Sequence, residues 1–498
     1  MIAGASYLAL ATRPVATPLG SIGPPSSSSS AQSYWPPAGG PSPPDTLLSP
    51  GAALAPSRTC QPRNTCLGPT IPRESSPAQS TGTQPVNPSN HPRAEPDRLL
   101  ANWDFLRLWL GQVASALGNG VSLIATPLLV LALTNSPAQA GLVAAARTAP
   151  YLLLGLPAGA LVDRWNRRLV LIGCDIARGL AMGSVPIAWS LGTLTMTQVV
   201  IVALVQGVAV TFANLAQVAA LPRLVRRDQI AAAQALNTSS LGVASLIGPG
   251  LGGIVVALGA TIADGAVVAF GVDALTYCVS LTMLVSIRKP FQNARLAGSR
   301  SLRAEIVEGL RYLWADRPIR LLAIVNMAHR LCIGAVVVLP VVVLARDALR
   351  ADPASIGLII GAAGAGGLLG SAVTPRLRRH FPVGWHMIGT IALHSLGIAL
   401  VGIGQTVPAA MAGMLVVGVA EAMTSIVQVS YRLATIPDAL QGRVNSVYRM
   451  GSFAAMTLGT TLTGILIEAS GARVALSVMA AYVAVIAVGV GLSEVRRL

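Results

Sequence analysis

GALVDRWNRR, residues 159–168, is a short basic loop set between two long apolar runs. A weaker copy, GSAVTPRLRR, occupies residues 370–379, and the offset is 211 positions (370 − 159). Gly, Val and the closing Arg pair recur at the same places in both. A loop repeated in this way, each time between membrane-length segments, points to a duplicated transporter.

The composition agrees with that reading. Only 11% of the 498 residues are charged, 53% are hydrophobic and the mean hydropathy is +0.64. Soluble globular chains carry about 25% charged residues, so most of this chain has the bilayer as its solvent. The net charge of +16 does not indicate a nucleic-acid partner, because the basic residues sit in short loops beside apolar segments, where they act as topology signals. The five cysteines, Cys60, Cys66, Cys174, Cys278 and Cys332, offer neither a disulfide framework nor metal-ligand spacing.

Residues 1–98 are rich in Pro, Ser, Ala and Gly and cannot bury enough apolar surface to fold. They read either as a disordered cytoplasmic tail or as the product of a start site assigned too far upstream. From Phe105 onward twelve apolar segments follow, at about 105–133, 138–162, 169–190, 194–220, 234–259, 263–287, 319–345, 354–374, 386–404, 407–434, 446–467 and 473–492. Each is near the roughly 20 residues a helix needs to span a bilayer, and only helices satisfy their own backbone there. The expected class is therefore an all-α polytopic membrane protein of twelve helices in two pseudo-symmetric halves. The halves are residues 99–287 and 319–498, joined by a linker at 288–318. Leu302, Ile306, Leu310 and Leu313 recur at helical spacing in that linker and predict an interfacial helix.

Orientation follows from the arginines. Arg164, Arg167, Arg168, Arg223, Arg226, Arg227, Arg376, Arg378, Arg379 and Arg443 follow segments 2, 4, 8 and 10, and a longer basic stretch follows segment 6. The loops after segments 1, 3, 5 and 9 hold no Lys or Arg. The expected location is the inner (cytoplasmic) cell membrane, with both termini on the cytoplasmic side.

On these segments lie FLRLWLGQ (105–112), AARTAP (145–150), GPGLGG (248–253), EGLRYLW (308–314) and QGRV (441–444). With the loop at 159–168 and in this order, the chain resembles the major facilitator superfamily. Within it, the branch of enterobactin exporters and macrolide-efflux permeases fits best. The resemblance covers roughly residues 100–495.

The loop has a physical logic as a gate latch. Gly159 would let segment 2 approach a neighbour closely, Asp163 would sit at the positive end of another helix, and Arg164, Arg167 and Arg168 would pair with carboxylates or lipid phosphates. The resemblance implies that segment 11 is the partner and that the latch holds the outward-open state. This chain has Asn166 where many relatives carry Gly, and Thr374 replaces the Asp in the second copy. GPGLGG resembles the fifth-helix motif of drug:proton antiporters, which favours export. Pro249 kinks the segment, and Gly248, Gly252 and Gly253 open a flat face. Gly357, Gly361, Gly364, Gly367 and Gly370 make a matching strip on segment 8, so segments 5 and 8 are expected to seal the outer side. Those antiporters usually carry an Arg in the fourth helix, where this chain has Ala203.

Ionisable groups in a bilayer are costly and point to function. Asp175 and Arg178 are spaced to pair with each other, and His394 reads as structural. Glu421 is the leading candidate for proton coupling, with Asp273 second. Asn119, Arg147, Gln206, Asn326, His329, Arg330 and Gln428 are the candidate substrate cavity. The predicted function is export of a small amphipathic molecule, such as a siderophore, macrolide or drug-like metabolite, by proton antiport. The partners would be that molecule, protons and the bilayer, with the chain acting as a monomer. A proton-coupled importer of the same fold is the alternative. A membrane-embedded transferase would need an acidic or His/Asp cluster that the chain does not show. No ATP-binding loop, cofactor site or metal site is apparent.

Overall fold

A computed structural model describes residues 99–289, 291 and 302–497. The tail at 1–98 lies outside the described residues. No strand occurs among those described. Segments 1–6 form α1 (Trp103–Thr134), α2 (Pro137–Arg164), α3 (Arg167–Ser190), α4 (Met196–Leu224), α5 (Ile230–Ala257) and α6 (Ile262–Ser286). The linker helix is α7 (Leu302–Ala315). Segment 7 is two pieces, α8 (Arg317–Arg330) and α9 (Ala335–Val343). Segments 8–12 are α10 (Pro353–Leu377), α11 (Val383–Ile403), α12 (Val407–Thr435), α13 (Asp438–Ser470) and α14 (Ala472–Leu492). Ten of these helices are long and apolar enough to cross a membrane, and α2 and the α8–α9 pair complete the twelve. The protein is a multi-pass membrane protein.

Polar residues mark the helix starts. Ser136, Thr195, Asp352 and Thr406 each accept a hydrogen bond from a first-turn amide of α2, α4, α10 and α12. Thr261 and Asp264 form a reciprocal capping box on α6. Asn166 caps α3, accepting from the amides of Arg168 and Leu169, with φ −67°. The turn after α2 therefore needs no glycine, and the Asn supplies a cap that Gly would lack.

In the first half α1 packs on α5 and α6, α2 on α4, and α3 on α4 and α6. In the second, α12 packs on α10 and α11, and α11 on α14. Two seams join the halves, α2 with α13 and α5 with α10. Large apolar side chains such as Leu153, Leu180, Leu258 and Leu458 project outward, as a lipid-facing surface requires.

Both seams are tight at the end opposite the arginine-rich loops. A Cβ on Gly141 would fall 2.6 Å from the Thr460 carbonyl oxygen and 3.0 Å from the Gly464 Cα. Further along, the Thr148 and Thr457 hydroxyls meet at 2.8 Å, and the Tyr151 and Phe453 rings stack at 4.0 Å. In the second seam, Gly253 and Gly357 face each other at a similar spacing, and Gly364 lies against the Leu246 backbone. Hydrogen bonds pin this end. Glu468 of α13 accepts from the Ser136 hydroxyl and from the Ala138 amide at the start of α2. Arg346 donates to Asn135 at 2.9 Å.

Toward the arginine-rich end the α2–α13 seam splays. The nearest neighbours of a Cβ on Gly155 would be atoms of the Tyr151 ring on the same helix, and one on Gly159 would meet nothing within 4 Å. The close approach expected at Gly159 is absent because α2 has already diverged from α13. The Asp163 side chain lies outside the described residues. Arg167 and Arg168 donate to the carbonyls of Ala219 and Val285, within their own half. In the second copy Thr374 is buried and returns its hydroxyl to Gly370 of the same helix.

The glycine strips are more divided than expected. Gly248 and Gly252 pack against Gly120 and Val121 of α1, whereas Gly253, the Pro249 carbonyl and, more loosely, Gly250 meet α10. On α10, Gly357, Gly361 and Gly364 face α5, whereas Gly370 abuts Val419 of α12. One helix thus supplies both the seam and the packing inside its half.

The linker forms the helix α7, and the side chains of Leu302 and Ile306 lie outside the described residues. Leu313 is buried, while Val307, Leu310 and Trp314 share an exposed face. Glu308 pairs with Arg443, and Gly309 lies against the Arg443 backbone, which fastens α7 to the start of α13.

Candidate functional site

Segment 7 breaks in the middle. α8 ends at Arg330, and Gly334 then takes φ +81°, a backbone region open to glycine. A Cβ at Gly334 would fall 3.3 Å from an Arg330 guanidinium nitrogen. On the other side, Gly459 of α13 presses against the Leu331 carbonyl, closer than any side chain would allow. The break therefore makes room for Arg330 and exposes an irregular stretch where membrane transporters place their sites.

Arg330 binds Glu421 of α12, Nη1 to Oε1, at 2.6 Å. The other carboxylate oxygen faces His394 Nε2 of α11 at 3.7 Å. His394 in turn meets the ring of His329 edge-on, with centroids 4.8 Å apart. Both histidines are buried. His329 therefore lies against His394 and is not among the cavity-lining residues, and His394 belongs to the charge cluster rather than to inert packing. His329 Nε2, both ring nitrogens of His394 and Glu421 Oε2 have no hydrogen-bond partner. Among the described residues, no three His, Cys, Asp or Glu side chains are grouped to hold a metal ion.

Below this cluster, Asn326 donates to Gln428 at 2.6 Å, and Tyr448 donates to the same Gln428 oxygen at 2.9 Å. Ser452 donates to Asn326 at 2.6 Å. The Arg432 guanidinium lies 3.7 Å above the Tyr448 ring. These groups line a cavity of about 290 Å³, together with Arg330, Arg449, Phe453 and Met456. Its walls are α8, α12 and α13.

The first half repeats the motif in closed form. Asn119 of α1 accepts from Arg147 of α2 at 2.9 Å and from Tyr277 of α6 at 3.2 Å. Gln206 of α4 accepts from Arg178 and from Tyr277. Arg178 stacks over Tyr277 at 4.4 Å. Each half thus joins an Asn from its first helix and a Gln from its fourth with a Tyr and a stacked Arg. Arg178 is engaged here and not with Asp175, so the expected pairing of those two does not form. Asp273 accepts from Ser122 at 2.7 Å and from Thr276, on the packing side of α6.

The candidate residues therefore fall in two places. Asn326, Arg330 and Gln428 line the cavity. Asn119, Arg147 and Gln206 form the closed cluster of the other half. Arg432, Tyr448, Ser452 and Phe453 were not singled out from the sequence. Arg432 and Tyr448 lie near segment ends, where a basic or aromatic residue reads as a topology or interface signal. Their burial is the only sign that separates them from such signals.

The match that decides the family covers residues 99–497, over which the chain fits the transmembrane secretion effector model. The chain belongs to the transmembrane secretion effector family. Within that family's reach it is similar to the multidrug efflux pump Tap of Mycobacterium tuberculosis, 30% identical over 386 residues, spanning 74% of this chain and 87% of the relative. It is similar to Tap of Mycolicibacterium fortuitum at 27% over 375 residues, spanning 74% and 90%. The enterobactin exporter EntS of Escherichia coli is 24% identical over 363 residues, spanning 72% and 84%. These relatives agree with the branch that the motifs indicated. Among solved structures, a bacterial homologue of the iron transporter ferroportin in an inward-facing state superposes with a TM-score of 0.64 at 15% identity. That match covers 78% of this chain and 98% of the other. A bacterial homologue of the lysosomal transporter Spinster gives 0.64 at 14%, covering 79% and 96%. At such identities the likeness is one of fold.

Proposed function

We propose that this family member exports small amphipathic molecules across the cell membrane by proton antiport, with its arginine-rich end and both termini in the cytoplasm. The carrying observation is a polar cavity beside a broken helix in the second half, with the two halves sealed at one end and splayed along α2 and α13 at the other. With the arginine-rich end inside, this is an inward-open state ready to load from the cytoplasm. The names of the relatives, drug efflux pumps and a siderophore exporter, support the outward direction.

Coupling is assigned to the Arg330–Glu421 pair. A proton on Glu421 removes the charge that holds Arg330, so the carboxyl serves the proton or the guanidinium but not both at full strength. Substrate contact with the cavity face of Arg330 would weaken the pair and favour protonation. The two histidines behind Glu421 offer unpartnered nitrogens for passing that proton on. Inward proton movement supplies about 2.3 kcal/mol per 100 mV, enough for a roughly 50-fold gradient of a neutral molecule.

The test is substrate-driven proton movement in proteoliposomes of known orientation, challenged with macrolides, siderophores and dyes. Wild type should exchange protons for substrate, and Glu421→Gln should lose that exchange by tenfold or more while still inserting. Unchanged exchange in the variant would move coupling to another group, Asp273 first. Substrate movement only in the inward direction would replace export with proton-coupled import.

A further inference from the structure

We infer that the cavity selects molecules carrying an anionic group on a planar aromatic body, with Arg432 and Arg449 receiving the charge. This rests on reading the cavity as the substrate site. Three arginines line it, Arg330, Arg432 and Arg449, and of these three only Arg330 has an ion-pair partner among the described residues. Arg432 is 9% exposed, yet its Nε and Nη1 have no hydrogen-bond partner. A buried guanidinium with idle donors is costly unless an anion completes it, and its planar fork suits carboxylate, sulfonate and phosphate oxygens. As a topology signal alone, Arg432 would extend into the headgroups. Instead it is folded over Tyr448, inside the cavity wall.

The surroundings define the rest of the ligand. Arg432 stacks on Tyr448 at 3.7 Å, and Arg449 lies 5.2 Å from the Tyr151 ring, which itself stacks on Phe453. Tyr448, capped by Arg432, and Phe453, stacked on Tyr151, thus line one cavity. A flat ring fits beside these stacks, against the Phe453 and Met456 side chains of the lining, and its anionic substituent reaches the guanidinium edges. Glu421 does not oppose this, because Arg330 already balances it. The lining therefore carries an excess of two positive charges, from Arg432 and Arg449.

Purified protein in phosphatidylcholine nanodiscs would be titrated with 1-naphthoate, 1-naphthamide and 1-naphthylmethylammonium, which share a ring system and differ in charge. Affinity would be read from ligand-induced thermal stabilisation. Naphthoate should bind at least tenfold more tightly than the ammonium, with the amide between them. Arg432→Gln and Arg449→Gln should each weaken naphthoate about tenfold and leave the amide within twofold, which also certifies the fold. Arg432→Lys should keep most of the charge preference. Equal binding of the three probes, or a preference that persists in the double Gln variant, would overturn the inference. Phosphatidylglycerol in the nanodisc that stabilises the protein by itself and blocks naphthoate would reassign the arginines to lipid headgroups. None of these readouts depends on transport direction, so a protein that passes them and transports only inward would keep the anion preference and lose the export reading.

Discussion

Arg330 and Glu421 are mutually dependent, and removing one leaves the other in a partly dehydrated cavity wall. Arg330→Ala should therefore lower the apparent unfolding temperature by several degrees, measured in detergent. Arg330→Gln with Glu421→Gln should recover most of that loss without restoring proton coupling, since neutral partners pack without an orphaned charge. Asp352 gives a separate case outside the bilayer. The Ser355 hydroxyl, together with the Ala354 and Ser355 amides, holds its carboxyl below the ordinary range. A group with a depressed folded value contributes fully above its unfolded value of about 3.9, and the contribution is lost as pH falls through the folded value. Asp352→Ala should destabilise by about 1 kcal/mol at neutral pH, as loss of a helix cap does. The gap from wild type should shrink below about pH 4, which a pH series of thermal melts would check. At this scale the sequence was partly legible. Glu421 stood out because a carboxylate mid-segment has no structural excuse. Arg432 did not, because an arginine near a segment end has an obvious one.

Elements carry the opening and closing. α2 and α13 touch backbone to backbone at Gly141 and Gly464 and part before Gly159, so the pair works as a rocker closed at one end. Gly464→Leu should hold that end open. In a background without native cysteines, Thr457→Cys should then react several-fold faster with a membrane-impermeant thiol reagent added outside, and accumulation against a gradient should stop. Glu468→Ala should raise the same reactivity more modestly, because it removes the acceptor for Ser136 and Ala138 but leaves the glycine contact. The twelve segments and the α7 helix were readable from apolar run length and from leucine spacing. The break in segment 7 was not. Ala335–Val343 is uniformly apolar, and a single glycine before it looks like the many glycines that membrane helices tolerate. The Gly334 φ of +81° and the Gly459 contact with the Leu331 carbonyl reveal the break only in the folded chain.

For the whole molecule, charge and voltage act together. If the cargo is anionic and the interior negative, each exported negative charge gains about 2.3 kcal/mol per 100 mV, in addition to the inward proton. Export of naphthoate from oriented proteoliposomes should accordingly accelerate several-fold when a potassium–valinomycin potential makes the cytoplasmic side negative. A neutral cargo exchanging for one proton would gain only the proton's share. The two-half architecture was legible from the repeated loop and the alternation of arginines, because both are set by membrane insertion. The difference between the halves was not. It depends on where two Asn–Gln–Tyr–Arg clusters settle after folding, one sealed around Arg178 and Tyr277, the other open beside Tyr448.

That asymmetry bears on how such a protein adapts. Every residue lining the cavity comes from α8, α12 and α13, all in the second half. Populations selected to expel a new toxic compound should collect their substitutions there, while the first half, whose matching cluster is already filled by its own side chains, accumulates few.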